Sequence, residues 1–167
     1  MSAPSNPPTA AKAESSAVKA VENVIAEHPF LRGLKPEHLR LLADSAMRMH
    51  YGAGELIFRE GDLANRFYLI EHGRVSLESH RRDEAPVAVQ VIGPGEVLGW
   101  SWLFPPYYWH FDARALEPTT TIFFYGTRLR EHCEKDHAFG YEMIKRMTHV
   151  VIHRLQATRK QLLSTRR

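Results

Sequence analysis

The chain predicts a mainly β fold with flanking helices: an antiparallel double-stranded β-helix (jelly-roll) barrel followed by a long C-terminal helix. Three observations point there. Apolar and polar residues alternate with period two between Met47 and Tyr125, the spacing that sends successive side chains to opposite faces of a strand. The alternation is broken again and again by glycines, Gly52, Gly54, Gly61 and Gly73 among them, as short antiparallel strands require. Before Met47 and after Gly126 the period is 3.6, which marks helices packed outside the strands.

Element by element, residues 1–17 are rich in Ala, Ser and Pro and poor in large apolar residues, so they read as a disordered arm. The domain proper is 18–167. Its helical entrance, 18–46, holds Val18, Val21 and Ile25 on one face, stops near His28-Pro29, and restarts at Pro36-Glu37, residue types favoured in a first turn. Strands are expected at Met47–Tyr51, Glu55–Phe58, Phe67–Ile70, Val75–Glu78 and Val87–Ile92, with a charged turn at Arg81–Glu84. Two more follow at Phe111–Leu116 and Thr119–Tyr125, which closes a barrel spanning 47–125. The C-terminal helices occupy 127–164, with Asp136 placed to cap the long one.

Length and composition set the limits. A chain of 167 residues makes one domain with a real core. It is 44% hydrophobic and 25% charged, as soluble globular proteins are. No run approaches the roughly 20 apolar residues of a membrane span. There is no signal pattern, and the lone Cys133 gives no disulfide framework, so a cytoplasmic setting is expected. A net charge of +3 is too small to argue for nucleic acid. The late basic residues Arg154, Arg159, Lys160, Arg166 and Arg167 read as a solvated helix face.

The stretch Gly93–Ala115 is where a site is expected. It opens on a Gly-Pro-Gly turn and then gathers Trp100, Trp102 and Trp109, which together need an enclosure. Pro105 and Pro106 forbid a helix through the middle, so a single helical turn is expected just after Gly99, its free N–H groups facing an anion. The expected ligand-binding residues are Gly99, Trp100, Ser101, Trp102, Leu103, Trp109 and His110. Backbone N–H groups and the side chains of Ser101 and His110 would donate, while the indoles form walls. The same cluster also reads as plain filling of the barrel mouth.

Tyr51–Leu77, with the spaced Gly61 and Gly73, Asp62 and the Phe67-Tyr68-x-Ile70 strand, resembles a cyclic-nucleotide-binding domain of the catabolite-activator (Crp/Fnr) type. Gly95-Glu96-Val97-Leu98-Gly99 is similar to the entry of that family's phosphate-binding cassette, and His153-Arg154-Leu155-Gln156 to its long dimerisation helix. The resemblance implies the jelly roll and a regulatory, ligand-sensing role. It also implies a glutamate on the ribose and an arginine on the cyclic phosphate, where this chain has Trp100 and Trp109. Arg114 aligns with a later basic position and is not taken as the phosphate ligand. Losing the charged partner of a buried phosphate costs roughly 2–5 kcal/mol, so weak or altered nucleotide binding is expected. The family's transcription factors carry a helix-turn-helix after the long helix; none is read here, so no sequence-specific DNA binding is expected of this chain alone.

Catalysis is not expected. No nucleophile elbow, Walker or paired-carboxylate pattern occurs. A cupin-type metal enzyme shares the barrel class but needs a His-x-His pair, which this chain lacks. His149 and His153 stand four apart without a third ligand, and His132, Cys133 and His137 look incidental, so no metal is assigned. On the last helix Ile144, Thr148, Val151, Leu155, Thr158 and Leu162 alternate steps of four and three, the period of a coiled coil. A homodimer is expected through Ile144, Met147, Val151, Leu155, Thr158 and Leu162, with Phe139, Met143, Met147 and Val150 facing the barrel. The function expected is a regulatory small-molecule sensor acting through a partner protein. Its ligand is nucleotide-like or another small anionic or aromatic molecule, and no cofactor is assigned. A ligand-less dimerisation module is the alternative.

Overall fold

The computed structural model describes residues 10–80 and 83–165. Helices α1 (Ala10–Glu27) and α2 (Pro36–Ala43) lead into eight strands. These are β1 (Met47–Tyr51), β2 (Leu56–Phe58), β3 (Arg66–His72), β4 (Val75–Ser79), β5 (Val87–Ile92), β6 (Val97–Leu98), β7 (Asp112–Ala115) and β8 (Thr119–Tyr125). Helices α3 (Gly126–Lys135) and α4 (His137–Ser164) complete the chain. The expected fold class holds, with one refinement. The strands form two four-stranded antiparallel sheets, β1-β8-β3-β6 and β2-β7-β4-β5, rather than one closed cylinder.

Period-two alternation explains the layering. In β3 and β8, Tyr68, Ile70 and Phe123 point into the jelly roll, where they meet Val75, Leu77, Ile92, Leu98 and Ala113. Their neighbours Phe67, Leu69, Ile122 and Phe124 point outward and are covered by Leu31, Leu42, Leu129, Phe139 and Met143 of the helical layer. The central strands are therefore buried on both faces, while Arg66 at the edge of β3 lies over the Phe123 ring at 4.4 Å.

The helices end where their chemistry says. Pro36 and Glu37 open α2. Asp136 caps α4, its carboxylate accepting from the Phe139 N–H at 3.1 Å and standing 2.9 Å from His38 Nε2, which ties α2 to the start of α4. Helix α1 begins at Ala10, so residues 10–17 are helical and not a disordered arm; residues 1–9, like Arg81, Arg82, Arg166 and Arg167, lie outside the described residues. Alanine-rich composition reads as unstructured on apolar content alone, yet alanine is the strongest helix former.

Two expectations for α4 are corrected. Met147 is fully buried against the jelly roll with Phe139 and Met143, so it belongs to the core row and not to a dimer seam. Arg154 is not solvated: its guanidinium turns inward and donates to the Val97 carbonyl on β6. Among the described residues no helix is long and apolar enough to cross a membrane.

Candidate ligand-binding site

Gly99 follows β6 with φ +86°, a left-handed backbone that glycine adopts without a Cβ penalty. A Cβ there would stand 2.5 Å from Cζ3 of Trp109, so the indole lies directly on the glycine. No helix follows. Residues Trp100–Leu103 make a hydrogen-bonded turn, with the Leu103 N–H donating to the Trp100 carbonyl at 3.3 Å. The expected helical turn with N–H groups aimed at an anion is therefore absent, because the chain must bend straight into Pro105-Pro106.

The seven expected residues divide between two compartments. Gly99, Trp100, Ser101, Trp109 and His110 border one cavity inside the jelly roll, together with Phe58, Leu77, Leu98, Phe111 and Arg154. Trp102 and Leu103 face the other way, into the helical layer. Trp102 is fully buried there, 5.6 Å from the Phe67 ring, and its carbonyl accepts from Arg130 of α3. Arg130 in turn lies 4.2 Å over the Tyr107 ring, which clamps the proline-aromatic loop to α3.

Trp109 decides what the inner cavity holds. Its ring stacks on Phe58 with centroids 3.9 Å apart and planes 11° from parallel. Its backbone is fixed on both sides, its N–H donating to the Asp62 carbonyl and its carbonyl accepting from the Gly61 N–H, each at 2.9 Å. What remains of the cavity is about 10 Å³. Ligand pockets run to about 300–1,000 Å³, so this one is full of its own side chains. Trp100 stays half-buried and stacks on the exposed His110 at 5.3 Å, forming the rim.

Sequence reasoning missed Phe58, whose role depends on Trp109, distant in sequence, and Arg154, which reaches the cavity wall from α4. Burial of its guanidinium lowers the Arg154 pKa to about 10, with Glu96 acting the other way. Arg114 is otherwise employed, donating to Glu78 Oε2 at 3.2 Å and to the Gly54 carbonyl at 2.9 Å. Beside it, Asp112 is a buried carboxylate held 2.5 Å from His80 Nε2 and accepting the Glu60 N–H at 2.8 Å. Burial pushes its pKa up, but the Glu60 amide, His80 and Arg114 together bring it below the usual carboxylate value.

The strands and the cassette that carry this geometry lie within a known family's domain. The family model described as the cyclic nucleotide-binding domain matches residues 48–136, more than half the chain. The chain belongs to the cyclic nucleotide-binding domain family. It is 33% identical over 81 residues to the cAMP-dependent protein kinase type II regulatory subunit of Drosophila melanogaster, covering 48% of this chain and 21% of that protein. It is 34% identical over 71 residues to the cyclic AMP receptor protein of Thermus thermophilus, covering 42% of this chain and 33% of that protein. The match thus spans a third or less of these relatives. A crystal structure from Geobacter metallireducens GS-15, named for cyclic nucleotide binding, superposes with a TM-score of 0.72 at 28% identity, covering 81% of this chain and 98% of that one. The family is regulatory, and the Crp-like jelly roll with its C-terminal helix is shared; the filled interior is a feature of this chain's own residues.

Proposed function

We propose that this chain is a regulatory module whose jelly-roll interior is occupied by Trp109 and does not take a cyclic nucleotide tightly. The observation that carries this is the seat of Trp109 on Gly99 and Phe58, with about 10 Å³ left beside it. A nucleotide entering there must expel the indole. An aromatic side chain buries about 150–250 Å², so exposing it forfeits roughly 4–6 kcal/mol, a factor of about a thousand or more in affinity. The neutral indole also leaves a buried phosphate without a charged partner.

The module acts, on this reading, by pairing with a second copy and presenting the pair to a partner protein. Ile144, Leu155 and Leu162 are 48%, 68% and 65% exposed on one face of α4, with Val151 and Thr158 half-buried between them. Those five are the seam; Met147 is not. The role is regulatory rather than catalytic, cytoplasmic, and without sequence-specific DNA contact by this chain alone.

Calorimetric titration of the full chain with cyclic AMP and cyclic GMP tests the central claim. Neither is expected to bind with a Kd below about 1 μM, and sub-micromolar binding of either would overturn it. The double variant Trp109→Arg with Trp100→Glu restores the family's charged pair and is expected to gain affinity. Light scattering should find a dimer that Leu155→Asp converts to monomer.

A further inference from the structure

Outside the jelly roll lies an open groove of about 550 Å³, between α4, the Pro29-Phe30 turn and Gly95–Val97. We propose that this groove is a binding site for a small molecule that carries a phosphate or carboxylate on an apolar body, with Arg154 as its charged anchor. The volume falls within the ordinary range for a ligand pocket, whereas the inner cavity does not. The site is separate from the jelly-roll interior and stands whether or not that interior admits a nucleotide.

The charges around the groove assign the ligand's sign. Lys145, Arg146 and Arg154 border it, against the single carboxylate of Glu96. Two of these cations are already engaged. Lys145 reaches Glu142 at 2.8 Å, and Arg146 donates to the carbonyls of Phe30 and Arg32 at 2.6 and 3.0 Å. Glu96 is held back by the Gly93 N–H, which donates to its carboxylate at 2.7 Å. Arg154 differs. It has one carbonyl, that of Val97, and among the described residues no carboxylate within ion-pair distance.

A guanidinium brings five N–H donors and a charge that cannot be shed, so burying it without an opposite charge is costly. An oxyanion in the groove supplies that charge and matches the planar fork with two parallel bonds. His149 and His153, with Nε2 atoms 3.1 Å apart, add ring nitrogens at the same mouth. Phe30, Val97 and Val150 form the apolar wall on which the rest of the ligand lies. Burial lowers the Arg154 pKa to about 10 even though the Glu96 charge acts the other way.

Arg154 also borders the inner cavity beside Trp100 and Trp109. Occupation of the groove therefore reports on itself through tryptophan emission. The test uses the full chain and two probes, inorganic phosphate and phenyl phosphate, at fixed ionic strength against chloride. Phenyl phosphate is expected to shift emission saturably, raise Tm and bind more tightly than phosphate. Arg154→Gln is expected to weaken it about ten- to hundredfold, the worth of a charge-assisted hydrogen bond. Arg159→Gln, farther along α4 and outside the groove, is expected to leave it unchanged. Should Arg154→Gln fail to fold, His149→Gln with His153→Gln gives a second reading, with an expected loss of roughly three- to tenfold. No saturable response, equal binding of the two probes, or full binding by these groove variants overturns the proposal.

Discussion

Inside the jelly roll, Trp109 lies 3.9 Å from Phe58 and leaves about 10 Å³; outside it, the space between α4 and Gly95–Val97 stays open at about 550 Å³. Both spaces are bordered by Arg154, and both are built from strands whose side chains alternate between faces. The inner one is closed by dense apolar stacking. The outer one is bordered by Lys145, Arg146, Arg154 and Glu96 together with apolar side chains, and it stays open. The difference shows how a binding fold moves its vacancy: a large aromatic fills the inherited space, and an unpartnered cation keeps another open.

The largest expected effect tests the closed side. Trp109→Ala should cost about 3–5 kcal/mol in urea unfolding, since neither Gly99 nor Phe58 can relax into the void. Added indole should recover part of that loss by binding the cavity. A cost under about 1 kcal/mol would mean that the interior is not packed as described. Gly99→Ala comes next, at roughly 1–3 kcal/mol, because it combines a left-handed backbone with a Cβ pressed on the indole. Combined with Trp109→Phe, its cost should be less than additive, which a double-mutant cycle measures.

A smaller effect concerns Asp112, whose carboxyl is held below its usual pKa. A depressed carboxylate contributes stability that is complete above its unfolded pKa of about 3.9 and disappears as pH falls through the folded value. His80→Asn should therefore lose about 1 kcal/mol at pH 7 and show a shallower fall in stability below about pH 4 than the unaltered chain. The smallest effect is Leu162→Ala, within about 0.5 kcal/mol for the protomer, accompanied by a rise in the dimer dissociation constant. A large loss within the protomer would place Leu162 in a core it does not reach.

Much of this was legible beforehand, and the illegible part has a common cause. The strands from Met47 to Tyr125 other than β6, the Asp136 cap and the row Phe139, Met143 and Met147 with half-buried Val150 follow from period and capping chemistry. The family's own glycines marked the cassette. What could not be read was the side to which each tryptophan turns, because the loop around Pro105-Pro106 has no period to follow. Trp102 and Trp109 consequently looked alike and ended in different layers. Arg154 had a signal that was passed over: it lies four residues after Val150 and seven after Met147, on the buried stripe. Its positive charge and its place in a basic tail outweighed that register.

Helix α4 runs unbroken for 28 residues, about 42 Å, yet its packed contacts end near Arg154. The roughly 15 Å beyond that point projects as a lever with its pivot at the groove. A tilt of about 10° at Arg154 would swing Leu163 by roughly 2 Å, enough to disturb the packing of a leucine against a paired helix. A few helical turns without packing are marginal in water, so the proposed pairing would be what stiffens this segment. On the proposed pairing, such a lever amplifies only while a second copy holds its far end, so its output would be mechanical.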